Sequence, residues 1–153
     1  MSLRARLSRM TEEIRFYSSA DDYGDFSNFA GFPISIGGET WPTSEHYFQA
    51  QKFRDNAVRR KIRKAKTPMI AARMGRDRSL NLRRDWESVK VEVMRVAVRA
   101  KFSQHDDLQR LLISTGAARI VEHTENDAYW GDGGDGSGKN MLGRILMQVR
   151  DEL

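Results

Sequence analysis

Residues 130–144 read Trp-Gly-Asp-Gly-Gly-Asp-Gly-Ser-Gly-Lys-Asn-Met-Leu-Gly-Arg. Five glycines precede Lys139, and a helical pattern starts right after Asn140. Glycine lets a backbone approach a ligand closely and take positive φ. A helix N-terminus offers unused N–H groups and a partial positive charge, which suit an anion. Gly138, Lys139 and Asn140 are therefore candidate substrate-binding residues. Gly133 to Lys139 even has the spacing of a P-loop, but three features reject that reading. Asn140 stands where magnesium coordination needs a Ser or Thr hydroxyl. The preceding Glu125-Asn126-Asp127-Ala128 is too polar for a buried strand. Only fourteen residues follow Lys139, too few for the remainder of a parallel nucleotide-binding sheet. Asp132 and Asp135 would repel a bare phosphate. They suit sugar hydroxyls, a cationic transition state or a metal better, so the loop suggests a ligand with an anionic and a polyhydroxyl part, such as a ribose phosphate.

A second constellation is Thr40-Trp-Pro-Thr-Ser-Glu-His-Tyr-Phe-Gln-Ala-Gln-Lys-Phe53. Glu45 falls in the first turn of the helix expected there, where the helix dipole favours a carboxylate. An ionised carboxylate can stabilise an oxocarbenium-like sugar or orient water; equally, Glu45 can simply complement the dipole. His46 is a base or a structural histidine. Glu45, His46, Glu122 and His123 lack metal-site spacing, so no metal is expected. Trp86 either packs in the core or stacks on a planar base. Asn28, within Asp25-Phe26-Ser27-Asn28-Phe29, either reads a base or sugar edge or forms a turn.

The elements that must position these residues follow from periodicity. Glu13 to Tyr17 and Phe32 to Ile36 read as short strands, with Gly37-Gly38 turning the second toward Glu39 to Trp41. Thr43 is the expected N-cap of a helix running to about Asp55. Pro68 suits the first turn of a short helix ending before Gly75. The clearest helix is Asp85 to Phe102, with Trp86, Val89, Val93, Val96, Ala97 and Ala100 on one face, which Val91, Val98 and Phe102 broaden. Asp106 is the expected cap of the next helix, whose inner side is Leu108, Leu111 and Leu112. Arg119 to His123 reads as an inner strand and Met141 to Glu152 as a last helix. The sum is an α+β fold, mostly helical, forming a single domain with a small sheet over residues 13–153, behind a polar extension at residues 1–12.

Composition bounds the rest. The chain has 153 residues, 26 Lys plus Arg, 21 Asp plus Glu and no Cys. A disulfide framework, a zinc finger and a thiol nucleophile are thereby excluded, and a cytoplasmic location fits. No apolar run approaches the roughly 20 residues of a membrane-spanning helix. The first ten residues carry three Arg without an apolar block, and the chain turns acidic at Glu12 and Glu13, against a signal or transit peptide. The net charge of +5 favours anionic partners. Seven basic residues lie between Arg54 and Lys66, with Asp55 the one acid among them. That run is a solvated helix face or a phosphate footprint; without aromatic residues it is no stacking platform.

Phe16-Tyr17-Ser18, Gly24 to Phe29, Trp41 to Phe53, Ala72 to Arg76, and Trp130-Gly131 through Lys139 to Gly143 together resemble the YbiA-like proteins of the NADAR superfamily, over about residues 13–152. The resemblance implies an α+β N-glycosidase acting without metal or other cofactor. Its implied substrate is a small phosphorylated ribosyl compound: a phosphoribosylamino-pyrimidine intermediate of riboflavin biosynthesis, cleared by hydrolysis to ribose 5-phosphate and a free aminopyrimidine. Two alternatives remain open. One is an ADP-ribosyl-guanine glycohydrolase acting on modified nucleic acid, and the other a non-catalytic ADP-ribose or nucleotide reader. By resemblance, Glu45 matches the family's catalytic glutamate and Trp86 its active-site tryptophan. Its second acid matches Asp127 or Asp132. Gly138, Lys139 and Asn140 match the family's Gly-Lys-Asn segment, and with Asn28 and Lys52 they are the expected substrate-binding residues.

Overall fold

A computed structural model describes Ser2 and residues 12–153. Apart from Ser2 and Glu12, the expected extension at residues 1–12 lies outside the described residues. The fold is α+β and mainly helical, with two two-stranded sheets among the described residues. The chain divides into two compact units, one spanning residues 28–104 and the other built from the segments before and after it.

In the 28–104 unit, β1 (Ile34–Ile36) and β2 (Glu39–Trp41) form an antiparallel hairpin that pairs Ile34 with Trp41. Gly37 and Gly38 turn it with φ of 61° and 81°, as a tight hairpin turn requires at both central positions. Four helices follow: α1 (Ser44–Ala50), α2 (Asn56–Arg63), α3 (Pro68–Gly75) and α4 (Trp86–Gln104). Side-chain oxygens of Thr43, Asp55 and Thr67 cap the first three, accepting from the backbone N–H of His46, Ala57 and Ile70. The helix expected from Thr43 to Asp55 therefore stops at Ala50. Phe53 leaves it to bridge Leu82, and Asp55 starts a new helix over the basic run. Ile34, Trp41, Ala50, Phe53, Ile62, Ala71, Ala97 and Ala100 form one core cluster.

The inner face of α4 also differs from expectation. Trp86, Ala97, Val98, Ala100 and Phe102 are buried as expected, but Val89, Val91, Val93 and Val96 are only half-buried, and Met94 and Lys101 are buried in addition. The buried stripe thus takes in Met94 and Lys101, and four of the helix's valines line its edge. Buried Lys101 holds its Nζ 5.7 Å and 5.5 Å from the Phe32 and Phe102 ring centres, within reach of a cation–π attraction. At the end of α4 the Gln104 amide both donates to and accepts from the Ser35 backbone, at 2.8 Å each, which satisfies hairpin edge groups that would otherwise be unpaired.

In the other unit, β3 (Glu13–Phe16) runs parallel to β4 (Arg119–Glu122), pairing Ile14 with Ile120. A 3-10 turn at Gly24–Phe26 sets the Phe26 ring edge-on to Phe16 at 5.9 Å. α5 (Asp106–Ser114) begins one residue earlier than expected: His105 occupies the cap position, makes no side-chain cap bond, and Asp106 is the first helical residue. α6 (Met141–Glu152) buries Leu142, Ile145, Leu146 and Val149 as its spacing predicts.

Candidate active site

Within the 28–104 unit, the start of α1 gathers Asn28, Glu45, Gln49 and Lys52. The Asn28 carbonyl accepts the Glu45 N–H at 3.2 Å. Its side-chain Oδ1 accepts from the Ser44 hydroxyl at 2.7 Å, and its Nδ2 approaches the Met94 sulfur at 3.3 Å. Asn28 is thus a buried brace for the first turn of α1. It supplies an acceptor to a helix end whose N–H groups lack intrahelical partners.

Glu45 is 7% exposed, and its Oε1 accepts a 2.7 Å hydrogen bond from Gln49 Nε2, one turn along the helix. Hydrogen bonds to a charged acceptor are among the stronger ones. The other amide atom, Gln49 Oε1, is buried without a hydrogen-bond partner among the described residues. A Cβ added at Gly75 would lie 1.9 Å from it, so the backbone of α3 presses directly on the side chain that holds Glu45. Lys52 is half-buried, donates to the Gly75 carbonyl at 3.4 Å, and stands 5.9 Å and 6.0 Å from the Phe48 and Trp86 ring centres. Burial pushes its pKa down; the negative charge of Glu45 acts the other way, and the positive charge of Arg76 adds to the lowering. Trp86 is 6% exposed and packs against Phe48 with ring centres 5.2 Å apart.

His46 faces away from this chemistry. Its Nδ1 lies 2.7 Å from the Thr43 hydroxyl and its Nε2 3.0 Å from the Ala65 carbonyl. A neutral ring with the proton on Nε2 satisfies both contacts. Burial lowers the pKa of His46, and the Ala65 carbonyl opposes this. It is a structural histidine.

The other candidates lie in the 123–140 loop of the second unit. Asp132 is buried, with both carboxylate oxygens engaged. Oδ1 accepts from the Thr124 and Gly134 amides at 3.1 Å and 2.9 Å, and Oδ2 meets His123 Nδ1 at 2.8 Å. Burial raises its pKa, but the bonds from His123, Gly134 and Thr124 outweigh burial and hold the group below the usual carboxylate range. Asp127 accepts the Tyr129 and Trp130 amides on Oδ1, at 2.9 Å and 2.8 Å. Its Oδ2 makes no hydrogen bond among the described residues. A Cβ on Gly138 would lie 2.6 Å from both Asp132 C and Gly131 O, so close chain packing explains this glycine.

Asn140 sits at φ 51°, in the left-handed region. Its Nδ2 donates to the Ile120 carbonyl at 2.9 Å and its Oδ1 accepts the Glu122 amide at 3.0 Å, clamping the loop to β4. The open helix end expected at α6 is in fact closed. The Asn140, Met141 and Leu142 amides donate to the carbonyls of Gly131, Tyr129 and Trp130 at 2.9–3.0 Å. Lys139, exposed at the junction, has its Nζ 5.6 Å from the Tyr129 ring centre. Among the described residues no three His, Asp or Glu side chains form a group able to hold a metal ion.

Sequence reasoning missed Gln49 and Gly75. Gln49 was legible, because residues four apart share a helix face. Gly75 was not, since its role depends on how α3 packs on α1.

A sequence profile of the NADAR domain matches residues 15–153. The chain belongs to the NADAR family. It is 66% identical to the N-glycosidase YbiA of Escherichia coli (strain K12) over 140 residues, covering 92% of this chain and 88% of that protein. It is also 45% identical over 148 residues to a riboflavin biosynthesis protein of Vibrio vulnificus (strain YJ016), covering 97% of this chain and 40% of that one. The NMR structure of E. coli YbiA superposes with a TM-score of 0.86 at 61% identity, covering 99% of this chain and 92% of that chain. This NADAR chain is accordingly an N-glycosyl hydrolase with the YbiA fold.

Proposed function

We propose that this hydrolase cleaves the N-glycosidic bond of phosphoribosylamino-pyrimidine intermediates of riboflavin biosynthesis, releasing ribose 5-phosphate in the cytoplasm as a form of metabolite damage control. The observation that carries the reading is the buried Glu45 carboxylate, oriented by Gln49 and felt electrostatically by Lys52, which itself stands beside the Phe48 and Trp86 rings. As the C1′–N bond stretches, positive charge develops on the ribose ring. A carboxylate fixed in a desolvated site stabilises that charge without reorganising. Water then adds its oxygen to C1′ as the nitrogen leaves. One of its protons goes to a carboxylate, and the departing amine takes a proton in turn. Catalytic roles are proposed for Glu45 and Trp86 of the 28–104 unit and, on the family resemblance alone, for Asp127 and Asp132 of the other unit. Trp86 forms the apolar wall for the base. Asp127 offers a hydrogen-bond-free carboxylate oxygen, and Asp132 acts through the loop it holds. Of the loop residues Gly138, Lys139 and Asn140, Lys139 is the cation available to a phosphate, while the other two shape its support. Asn28 and Lys52 position Glu45 and the sugar. The riboflavin name of the Vibrio relative supports the substrate class.

The basic run on α2 favours one rival, removal of ADP-ribose from guanine in nucleic acid. The two are separated by incubating the purified protein with phosphoribosylamino pyrimidines and, separately, with ADP-ribosylated DNA. Ribose 5-phosphate from the former alone is the expected result. Free ADP-ribose from the DNA alone would establish the rival, and release from neither would point to a non-catalytic nucleotide reader.

A further inference from the structure

The basic run has a second side to it. A concave site of about 500 Å³ opens between the β1–β2 hairpin, α1 and α2. Three guanidinium groups, from Arg59, Arg60 and Arg63, line it against a single acid, Glu39. Tyr47 of α1 and Gln51, the residue that caps its C-terminus, also line it. They follow Glu45 and Gln49 by two residues each, about 200° around the helix, so this site is on the opposite side of α1 from the catalytic glutamate.

Its donors are braced but uncommitted. Arg59 is anchored through Nε to the Phe53 carbonyl at 2.5 Å, and Arg63 Nε lies 3.3 Å from a Glu39 oxygen. The Arg60 guanidinium, the Tyr47 hydroxyl and the side-chain amides of Gln51 and Asn56 have no partner among the described residues. Burial pushes the Tyr47 phenol up and the charge of Arg59 draws it back, which sets the guanidinium near the phenol. A solvated helix face does not require three arginines and three neutral donor groups on one concavity. The volume falls within the roughly 300–1,000 Å³ of small-molecule sites, and planar guanidinium forks match phosphate oxygens.

We propose that this pocket is a second ligand site, separate from Glu45, that takes a small organic phosphate. A nucleic-acid backbone fits it less well. Glu39 stands at the hairpin side of the site, and the outward Lys61 and Lys64 lie outside its lining.

The test is a titration of the full-length, isotope-labelled protein by NMR, using inorganic phosphate, ribose 5-phosphate and a 12-nucleotide single-stranded DNA as probes. Saturable shifts are expected for the arginine Nε–H signals and for the Gln51 and Asn56 side-chain amides with the small phosphates. Glu45→Gln should leave these shifts intact. Arg60→Glu should weaken binding about tenfold, equivalent to about 1.4 kcal/mol. Asn56→Asp places a negative charge at the site while suiting the first turn of α2, and should weaken binding similarly in a folded protein. Both variants should keep wild-type turnover. Linear, non-saturating shifts would overturn the proposal and return the run to a solvated face. DNA binding at these residues that small phosphates do not displace would also overturn it, in favour of a nucleic-acid surface.

Discussion

Gly75→Ala is predicted to impair catalysis although alanine has the better helix propensity. Gly75 closes α3, and alanine is normally worth about 0.5–1 kcal/mol over glycine inside a helix. On local propensity the variant should therefore be neutral or slightly more stable. Packing says otherwise, because the new Cβ would stand 1.9 Å from Gln49 Oε1, 2.7 Å from its Cδ and 3.0 Å from its Cβ. The Gln49 side chain must leave its place, and its 2.7 Å bond to Glu45 Oε1 goes with it. A hydrogen bond to a charged group contributes about 1.5–3 kcal/mol. If that loss falls on the transition state, kcat/KM drops by about 10- to 150-fold. The melting temperature should change far less, since Gln49 already has one unbonded buried oxygen to lose. Kinetics on a ribosylamine substrate, paired with thermal melts, read both effects. A cycle with Gln49→Ala sharpens the test: once Gln49 is gone, Gly75→Ala should cost almost nothing further. Wild-type kcat/KM in Gly75→Ala, or additive losses in the cycle, would refute the link from α3 to Glu45.

Asn140→Ala should cost about 2–4 kcal/mol in urea unfolding. It removes one buried and one part-buried amide hydrogen bond, at about 1–2 kcal/mol each, from a left-handed position that asparagine tolerates. Asp132→Ala should unlock the loop, read as faster hydrogen exchange at the Thr124 and Gly134 amides; Asp127→Ala should leave those two amides protected. His46 has a folded pKa below its unfolded value, so the unfolded chain binds the extra proton first. Its contribution is present above the ordinary value of 6.5 and fades as pH falls through the folded value. Melting temperature should therefore decline on acidification from neutrality, with a smaller decline over that range in His46→Asn.

Much of the scaffold is readable from local chemistry. Thr43 as a cap, Gly37-Gly38 as a hairpin turn and the Leu142–Val149 stripe all follow from short-range rules, and each stands where those rules place it. The breaks occur where tertiary contacts compete with periodicity. The Thr43 helix ends at Ala50 because the Phe53–Leu82 bridge and the Asp55 cap divide a run that reads as continuous. The α4 face takes in Met94 and Lys101, and a buried lysine lies outside any hydrophobic pattern. At the candidate site, residue types were legible but commitments were not. A Gly-Lys-Asn junction before a helix reads as an open anion cradle. Its amides instead close on the carbonyls of Tyr129, Trp130 and Gly131, a long-range detail of loop path. Likewise Asp127 and Asp132 are equivalent in sequence and distinguished only by how many hydrogen bonds each oxygen accepts.

The central claim is that an ionised Glu45 stabilises the ribosyl cation as the C–N bond breaks. The most direct test is single-turnover hydrolysis of a phosphoribosylamino pyrimidine by wild type and Glu45→Gln, with the folded state of each checked by melting. The variant keeps the shape and an amide oxygen for Gln49 but removes the charge. Its rate should fall by at least about 100–1,000-fold, the range seen when one preorganised electrostatic contact is lost, with the melting temperature little changed. A folded Glu45→Gln protein that hydrolyses the substrate at the wild-type rate would contradict the claim and leave Glu45 as a dipole partner of α1.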